Sequence, residues 1–157
     1  MAAGTFTLFD TATLWEADGS GLVVASNTFK MVLTTSTQAL TSAGQSIYGD
    51  LTNELATANG YTAGGVTLTG VTLTRSVGTT TFTYTGPTPK WTASGGSIPA
   101  WRYVVIYASG TLNGHVNPLV CFALGDSTPA DVPATTNGNT LDIQASGSGV
   151  FTITHSP

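Results

Sequence analysis

The side chains that could carry out chemistry are few in this sequence, and their spacing joins none of them into a site. Zinc requires three or four converging cysteine, histidine or carboxylate ligands, and neither His115 nor His155 has such neighbours. Each histidine is therefore interpreted as a surface residue. Cys121 lies within an apolar run without a basic neighbour, which predicts a buried and unreactive thiol.

The acidic residues near the N-terminus are the remaining candidates for a metal site. Asp10, Glu16 and Asp18 are close in sequence, but their spacing matches no calcium-binding loop. No Gly-x-Ser-x-Gly elbow provides a nucleophile. The glycines of residues 59–65 lack the lysine and the following helix of a phosphate-binding loop. We therefore predict no enzymatic activity, no catalytic residue, no metal and no cofactor.

Arg102 and two tryptophans each allow two interpretations. Arg102 lies between Trp101 and Tyr103. It either stacks on an aromatic ring or anchors a partner carboxylate, or it covers the edge of the core while its head reaches water. Trp91 and Trp101 either pack in the core or form a platform on which sugars stack. Structural packing is the more common use in both cases.

The composition indicates a nearly neutral surface. Only 8% of the 157 residues are charged, against about 25% in an average globular protein. A net charge of −4 with four basic residues argues against a nucleic-acid partner. No run approaches the roughly 18 apolar residues of a membrane span, and no secretory signal is expected. A surface with few charges gives little electrostatic protection against association. The composition therefore favours a protein that packs into an assembly. A merely threonine-rich bacterial domain is the plainer alternative.

Two apolar runs define the predicted centre of the fold. Residues 102–107 and 118–124 are apolar on odd and even positions alike, which is typical of strands buried on both faces. The sequence therefore predicts a central hairpin. Its expected core residues are Val104 and Ile106, with Leu119 or Phe122 from the partner strand.

Alternating patterns predict the other strands. Residues 29–33 alternate, with Phe29, Met31 and Leu33 inward. In residues 66–74 the alternation shifts by one residue, which predicts a β-bulge at Gly70. The remaining predicted strands are residues 79–85, with Phe82 and Tyr84 on one face, and a last pair formed by residues 141–143 and 151–153.

Brief helical segments are predicted at two places. Asp10 is expected to cap residues 11–17, and Asp50 to cap a turn that places Leu51 and Leu55 on one face.

These elements predict an all-β fold. We expect an antiparallel β-sandwich, of jelly-roll or immunoglobulin-like type, with about eight strands and one or two short helices. Residues 1–157 are expected to form a single domain. Residues 1–9 are interpreted as an N-terminal arm or edge strand, poorly ordered until a partner binds it.

Five segments occur in an order found in one protein family. They are residues 26–35 (SNTFKMVLTT), 59–65 (NGYTAGG), 91–97 (WTASGGS), 102–107 (RYVVIY) and 117–120 (NPLV). Through them the chain resembles small structural virion proteins of tailed bacteriophages, over the stretch from about residue 22 to the end. Two segments depart from the family pattern: residues 14–21 carry Trp15 and a glycine-rich turn in place of a longer helix, and residues 111–116 form an extended loop.

The resemblance implies a place in a virus particle rather than a reaction. The expected function is a capsid decoration protein that binds and reinforces the outer shell, and the alternative is a head- or tail-fibre module that recognises host glycans. Expected partners are the major capsid protein and other virion proteins, with homo-oligomer formation left open. The expected location is the capsid surface, after synthesis in the bacterial host cytoplasm. Residues predicted to contact a partner are Phe6, Leu8, Phe9 and Arg102.

Overall fold

The chain folds into two layers of antiparallel strands, as the sequence predicts. A computed structural model describes residues 4–12, 27–112, 114–128, 130–144 and 149–154, apart from the side chain of Arg75. Within these ranges, eight strands have three or more residues and four have two. The strands are β1 Thr7–Leu8, β2 Thr28–Thr34, β3 Val66–Thr67, β4 Val71–Ser76, β5 Thr79–Tyr84, β6 Lys90–Thr92, β7 Tyr103–Ser109, β8 Thr111–Leu112, β9 His115–Val116, β10 Leu119–Leu124, β11 Thr140–Asp142 and β12 Phe151–Thr154.

The first layer is a five-stranded sheet in the order β1-β10-β7-β2-β3. The second layer contains a three-stranded sheet, β12-β5-β4, and a two-stranded sheet, β11-β6. A small hairpin of β8 and β9 lies between β7 and β10 in the chain. Within the described ranges, no helix has the length and apolar character needed to span a membrane.

The predicted central hairpin is confirmed. Strand β7 lies in the middle of the five-stranded sheet and pairs with β10 on one side and β2 on the other. Val104 and Ile106 are buried between the two layers, where β2 contributes Phe29, Met31 and Leu33 as predicted. We call this buried region the inner core. Its members include Phe29, Met31, Leu33, Phe82, Trp91, Val104, Ile106, Val120, Cys121 and Phe151.

The opposite face of the same sheet is also buried, which explains why these strands carry apolar residues without alternation. We call its apolar residues the outer cluster. It consists of Phe9, Val32, Leu51, Val105, Tyr107 and Leu119, with half-buried Leu40, Tyr48 and Phe122 against them.

The expected partners of Val104 and Ile106 within the hairpin were wrong. Leu119 and Phe122 belong to the outer cluster, whereas Val120 and Cys121 face the inner core. The register shifts between Leu119 and Cys121. A β-bulge of this kind places two consecutive residues on one face, and no signal in the apolar run marks its position.

The alternation of apolar residues does shift by one residue around Gly70, but the predicted β-bulge is not its cause. Val66 and Leu73 both pack against the inner core, yet they lie in β3 and β4, which belong to different sheets. The chain therefore crosses between the layers at Gly70 rather than forming a bulge in one strand. Gly70 has a φ of 62°, and an added Cβ would lie 2.7 Å from the nitrogen of Gly86. Both facts favour glycine there.

The predicted strand over residues 79–85 is confirmed, but the predicted last pair was wrong. β5 turns Phe82 and Tyr84 into the core. β11 pairs with β6 and β12 pairs with β5, so neither late strand pairs with the other. Leu141 lies opposite Trp91, and Phe151 lies opposite Phe82. Alternation predicts that a short strand is half-buried but does not specify which strand it joins.

The two helical predictions were inaccurate or only partly described. Residues 10–12 are helical, and the remainder of the segment expected to extend to residue 17 lies outside the described residues. The second element is a 3-10 helix, Tyr48–Asp50, which Asp50 ends rather than begins. Leu51 packs in the outer cluster and Leu55 in the inner core, so they do not share a face. A single short turn cannot impose the helical spacing that the prediction assumed.

Residues 4–9 form part of the five-stranded sheet rather than a free arm. β1 pairs with β10, the Gly4 amide donates to the Leu124 carbonyl at 2.9 Å, and the Phe9 amide donates to the Val120 carbonyl at 3.1 Å. Phe9 is fully buried. The expectation that this segment orders only on a partner is therefore wrong for residues 4–9, because the sheet itself satisfies its backbone groups. Residues 1–3 lie outside the described residues.

Candidate functional site

A half-open cavity lies where the first strand, the start of β7 and the end of β11 meet. Its volume is about 490 Å³. Half-buried Phe6 and buried Trp101 are among the residues that line it, and Asp142 and Gln144 of the same set are exposed. The full set of lining residues is Phe6, Trp101, Val104, Gly125, Val132, Leu141, Asp142, Ile143 and Gln144. We call this the sandwich-end cavity.

Local pairing explains how the sandwich-end cavity is built. Trp101 forms an isolated antiparallel bridge with Val132, with backbone hydrogen bonds of 3.2 and 2.8 Å in the two directions. The Gly125 amide donates to the Arg102 carbonyl at 2.7 Å. A Cβ added to Gly125 would overlap the ring of Trp101, so glycine allows the close approach between the end of β10 and this ring.

Arg102 adjoins the cavity and is held by a carboxylate of its own chain. Its Nε donates to Oδ1 of Asp131 at 2.8 Å, and Ser36 Oγ donates to Oδ2 of Asp131 at 3.4 Å. The side chains of Arg102 and Asp131 are 27% and 42% exposed. The guanidinium therefore has an intramolecular partner at the surface, and its contact with another protein stays a prediction.

The four residues predicted to contact a partner are placed differently by the fold. Phe6 lines the sandwich-end cavity, and Arg102 follows the tryptophan that forms its wall. Leu8 is half-buried against the inner core. Phe9 packs on Phe122 with ring centroids 4.9 Å apart and is fully buried, so it offers no surface in this conformation.

Both tryptophans of the suggested sugar platform are buried. Trp91 is 3% and Trp101 is 2% exposed. The Trp91 ring stacks on Tyr61 with centroids 5.7 Å apart. The packing interpretation is therefore correct for both residues. Neither indole nitrogen has a hydrogen-bond partner among the residues that the structure describes.

A second polar arrangement, which the sequence did not indicate, surrounds Glu54. Its carboxylate accepts hydrogen bonds from the hydroxyls of Tyr48 and Tyr61, the latter at 2.7 Å, and from the Gly64 amide at 2.8 Å. Tyr107 donates to the Gly64 carbonyl at 3.0 Å and stacks on Tyr48 with centroids 4.7 Å apart. We call Tyr48, Glu54, Tyr61 and Tyr107 the tyrosine–glutamate cluster.

The tyrosine–glutamate cluster joins a loop to the five-stranded sheet. Tyr61 also accepts a hydrogen bond from the Leu33 amide in β2, at 3.1 Å. Burial, followed by the hydrogen bond to Glu54, raises the pKa of Tyr48 above its usual value. Burial is also the largest cause of the raised pKa of Tyr61 and of Tyr107. Neutral phenols held by a carboxylate and by backbone groups suit a structural role better than proton transfer near neutral pH.

The residues with intrinsic reactivity are not brought together within the described ranges. Cys121 is fully buried, as predicted, and burial raises the pKa of its thiol. His115 is exposed in β9. No group of three or more histidine, cysteine, aspartate or glutamate side chains with metal-binding geometry is found in the described part of the chain. Glu16, Asp18 and His155 lie outside it.

Within the described ranges, strand β4 lies at an unpaired edge of the second layer. The Val150 amide donates to the Phe82 carbonyl at 2.8 Å, so the backbone groups of Phe82 point away from β4. Leu73 lies opposite Phe82. Because backbone groups in an antiparallel pair alternate in direction, those of Val71 and Leu73 point to the free side of β4. We call this the β4 edge.

Searches against protein-family models, curated proteins and solved structures find no match to this chain.

Proposed function

We propose that this protein is a non-enzymatic structural protein of a bacteriophage virion, a decoration protein that binds and reinforces the outer shell of the head. The resemblance of five ordered segments to small virion proteins supports the proposal, as does the low charge of the chain. The single observation that carries it is the β4 edge, which offers a means of attachment without ion pairs.

The β4 edge has the properties of a strand that accepts another strand. It is six residues long, and Thr72, Thr74 and Ser76 expose uncharged side chains along it. Proteins usually protect an open edge with lysines, prolines or bulges. Here Arg75 is the only charged residue in the strand. An extended segment of a shell protein can therefore add to this edge through backbone hydrogen bonds.

The chemistry of such an attachment predicts its response to solvent. Exposed ion pairs contribute only about 0–1 kcal/mol each, and the chain has few charges with which to form them. Apolar burial and backbone hydrogen bonds are weakly screened, whereas exposed charges are screened beyond about 3 Å at 1 M salt. Occupancy should survive a rise from about 0.1 to about 1 M salt but fall in mild urea.

The test begins with particles of the phage that encodes the chain. A reconstruction reports whether the protein lies on the shell of the head or in a fibre that projects from the head or the tail, which separates decoration from the glycan-binding fibre alternative. The same particles are then washed in salt and in urea, and the protein that remains bound is quantified. Location on the tail, or release by salt while the domain stays folded, would contradict the proposal.

A matched pair of proline variants tests the β4 edge itself. Val71→Pro removes an amide that points outward from β4, and Thr152→Pro does the same at the opposite edge of the sheet, in β12. Thr152 lies opposite Thr81. Because the backbone groups of the neighbouring Phe82 point toward β12, those of Thr81 point toward β4 and those of Thr152 point to the free side of β12. Proline is tolerated at such edge positions. We expect both variants to fold by circular dichroism, and only Val71→Pro to lose occupancy. If the two variants occupy the particles equally, attachment through the β4 edge is excluded. The test of where the protein lies on the particle does not depend on this result.

A further inference from the structure

The backbone pattern of the β4 edge is self-complementary. The Thr85 amide donates to the Gly70 carbonyl at 3.0 Å, so these two residues form a hydrogen-bonded pair just before β4 begins. Alternation along the β4–β5 pair then turns every second residue of β4 toward β5 and the others toward the free side. The outward-facing residues are Val71, Leu73 and Arg75. They form a row that is symmetric about Leu73.

This row allows β4 to pair with β4 of a second copy in antiparallel orientation. With Leu73 opposite Leu73 of the second copy, Val71 lies opposite Arg75 and all outward-facing backbone groups have partners. Each such pair exchanges two hydrogen bonds, so the interface contains about six. A shift of the register by two residues in either direction leaves one outward-facing residue of each copy unpaired. The symmetric register therefore forms the most hydrogen bonds, and it has the two-fold symmetry typical of contacts between identical surfaces.

The side chains of β4 fit the same register on both faces of the sheet. On the solvent face, Thr72 lies opposite Thr74 of the second copy in a non-hydrogen-bonded pair, where side chains are closest. A pair of this kind already occurs between Thr81 and Thr152, whose hydroxyl oxygens are 3.2 Å apart. Such cross-strand threonine pairs stabilise a sheet. On the other face, half-buried Leu73 meets its counterpart, which removes further apolar surface from water.

The charge of the strand does not oppose this pairing. Arg75 is the only charged residue of β4, and the symmetric register places the two copies of Arg75 at opposite ends of the interface. Because each lies opposite Val71, their positions differ by four residues along the strand (75 − 71), which corresponds to about 13 Å. That separation exceeds the Debye length of about 10 Å at 0.1 M salt. The strand also lacks the lysines and prolines with which proteins usually prevent edge pairing.

We propose that in free solution the β4 edge pairs with the β4 edge of a second copy and forms a two-fold symmetric dimer. The two three-stranded sheets then become one continuous sheet in the order β12-β5-β4-β4-β5-β12. Because one edge accepts one strand, the dimer must separate before a segment of a shell protein binds. Self-pairing thus regulates attachment and protects an edge that would otherwise promote aggregation. The inference rests on the proposed function in that both use the β4 edge.

Cysteine crosslinking tests the register. Thr72→Cys and Thr74→Cys place thiols at directly opposed positions, where Cα atoms are about 4.5 Å apart, within the reach of a disulfide. An equal mixture of the two variants, oxidised with diamide, should form a covalent dimer. Either variant alone should form far less, since its own thiols lie on a diagonal of about 7–8 Å. Thr72→Cys mixed with Ser76→Cys is the matched control, because this pair also lies on a diagonal. Cys121 is buried and common to all reactions.

Sedimentation velocity measures the association itself. An interface of one strand from each copy is small, so we expect a dissociation constant of about 10–100 μM. The sedimentation coefficient should therefore rise between about 1 and 1,000 μM protein. Val71→Pro, which removes an outward-pointing amide of β4, should remain monomeric over this range, and Thr152→Pro should dimerise like the unchanged protein. If Val71→Pro fails to fold, the crosslinking reactions decide the question.

Three outcomes would overturn the proposal. They are sedimentation as a monomer at every concentration, equal crosslinking in the mixed, single and control reactions, and dimerisation that Thr152→Pro abolishes but Val71→Pro does not. These outcomes are distinct from failure of the proposed function. A monomer whose occupancy on particles still depends on Val71 would retain attachment through the β4 edge without self-pairing. A dimer whose occupancy does not depend on Val71 would retain self-pairing without that attachment.

Discussion

The two faces of the five-stranded sheet are buried by different means. The inner face packs against a second layer of strands, and its contacts are almost entirely apolar, as between Phe29 and Phe82, whose ring centroids are 5.3 Å apart. The outer face is covered partly by the loop of residues 35–64, which contributes Leu51 to the outer cluster. That loop is tied to the sheet by the tyrosine–glutamate cluster. The inner face therefore depends on apolar burial, whereas the outer face combines an apolar cluster with the hydrogen bonds of a loop, whose Tyr61 also packs in the inner core.

This difference has an energetic consequence. Apolar burial is non-directional and roughly proportional to area, so a change in the inner core should be costly wherever it leaves a cavity. A polar cluster is directional, and leaving one buried group without a partner costs more than the hydrogen bond contributed. The inner face should be sensitive to the volume of a side chain, and the outer face to the identity of single polar atoms.

The largest effect is expected from Ile106→Ala in the inner core. Ile106 is fully buried in the central strand β7, and truncation removes transfer energy and leaves a cavity, for a loss of about 2–5 kcal/mol in the free energy of unfolding. The measurement is urea unfolding followed by circular dichroism. Val77→Ala is the control, because Val77 is fully exposed at the tip of the β4–β5 hairpin. An Ile106→Ala variant as stable as this control would show that the hairpin is not the centre of the core.

The second prediction concerns the outer face and changes one functional group. Glu54→Gln keeps the shape of the side chain but replaces one accepting oxygen with a donating amide, so the hydroxyl of Tyr48 or Tyr61 loses its acceptor. An unsatisfied, partly buried donor costs about 1–3 kcal/mol. Asp142→Asn provides a carboxylate-to-amide control, because Asp142 is exposed and its side chain has no partner among the described residues, and the stability of this variant should hardly change.

A double-mutant cycle sharpens this second prediction. Tyr48→Phe removes one donor to Glu54. If the two groups stabilise the loop through each other, the double variant with Glu54→Gln should be more stable than the sum of the single losses implies. Additive losses would show that the cluster does not act as a unit, and that both faces depend on packing alone.

The same contrast explains what the sequence could and could not predict. The burial of β7 on both faces was visible, because Val104 and Val105 are apolar at adjacent positions. The tyrosine–glutamate cluster could not be predicted, since Tyr48 and Tyr107 are 59 positions apart in the sequence (107 − 48) and stack only after the sheet has formed. No period or local motif encodes a hydrogen bond between a loop and a strand.

The sandwich-end cavity was predictable only in part. Phe6 and Arg102 were singled out from the sequence, and the fold places one in the cavity and the other beside it. Leu141 and Ile143 were predicted to be strand residues, but the prediction paired them with the wrong strand. Their position depends on the pairing of β11 with β6, a non-local choice between short strands that alternation does not specify.

Alkaline pH should weaken the tyrosine–glutamate cluster. Burial raises the pKa of Tyr48, Tyr61 and Tyr107 in the folded protein, whereas tyrosine in an unfolded chain titrates near about 10. The folded state then holds its phenolic protons more tightly, so their contribution to stability is complete below about pH 10 and is lost as the pH rises above it. Urea midpoints should be flat from about pH 8 to 9 and fall by pH 11. The urea midpoint of Tyr48→Phe should fall less over the same pH range. A fall equal to that of the unchanged protein would show that Tyr48 does not contribute to the pH dependence.

The smallest effect is expected at the ion pair of Arg102 and Asp131, which belongs to neither buried face. One Nε–Oδ1 contact at 2.8 Å joins two side chains that remain partly exposed, so its net contribution should be about 0–1 kcal/mol and should decline in 1 M salt as screening increases. A double-mutant cycle of Arg102→Gln and Asp131→Asn, measured at low and high salt, isolates the pair from the packing of the arginine stem. A coupling energy well above this range that also resisted salt would mean that the pair is desolvated. The edge of the sandwich would then behave like the outer face, with its stability determined by particular polar atoms.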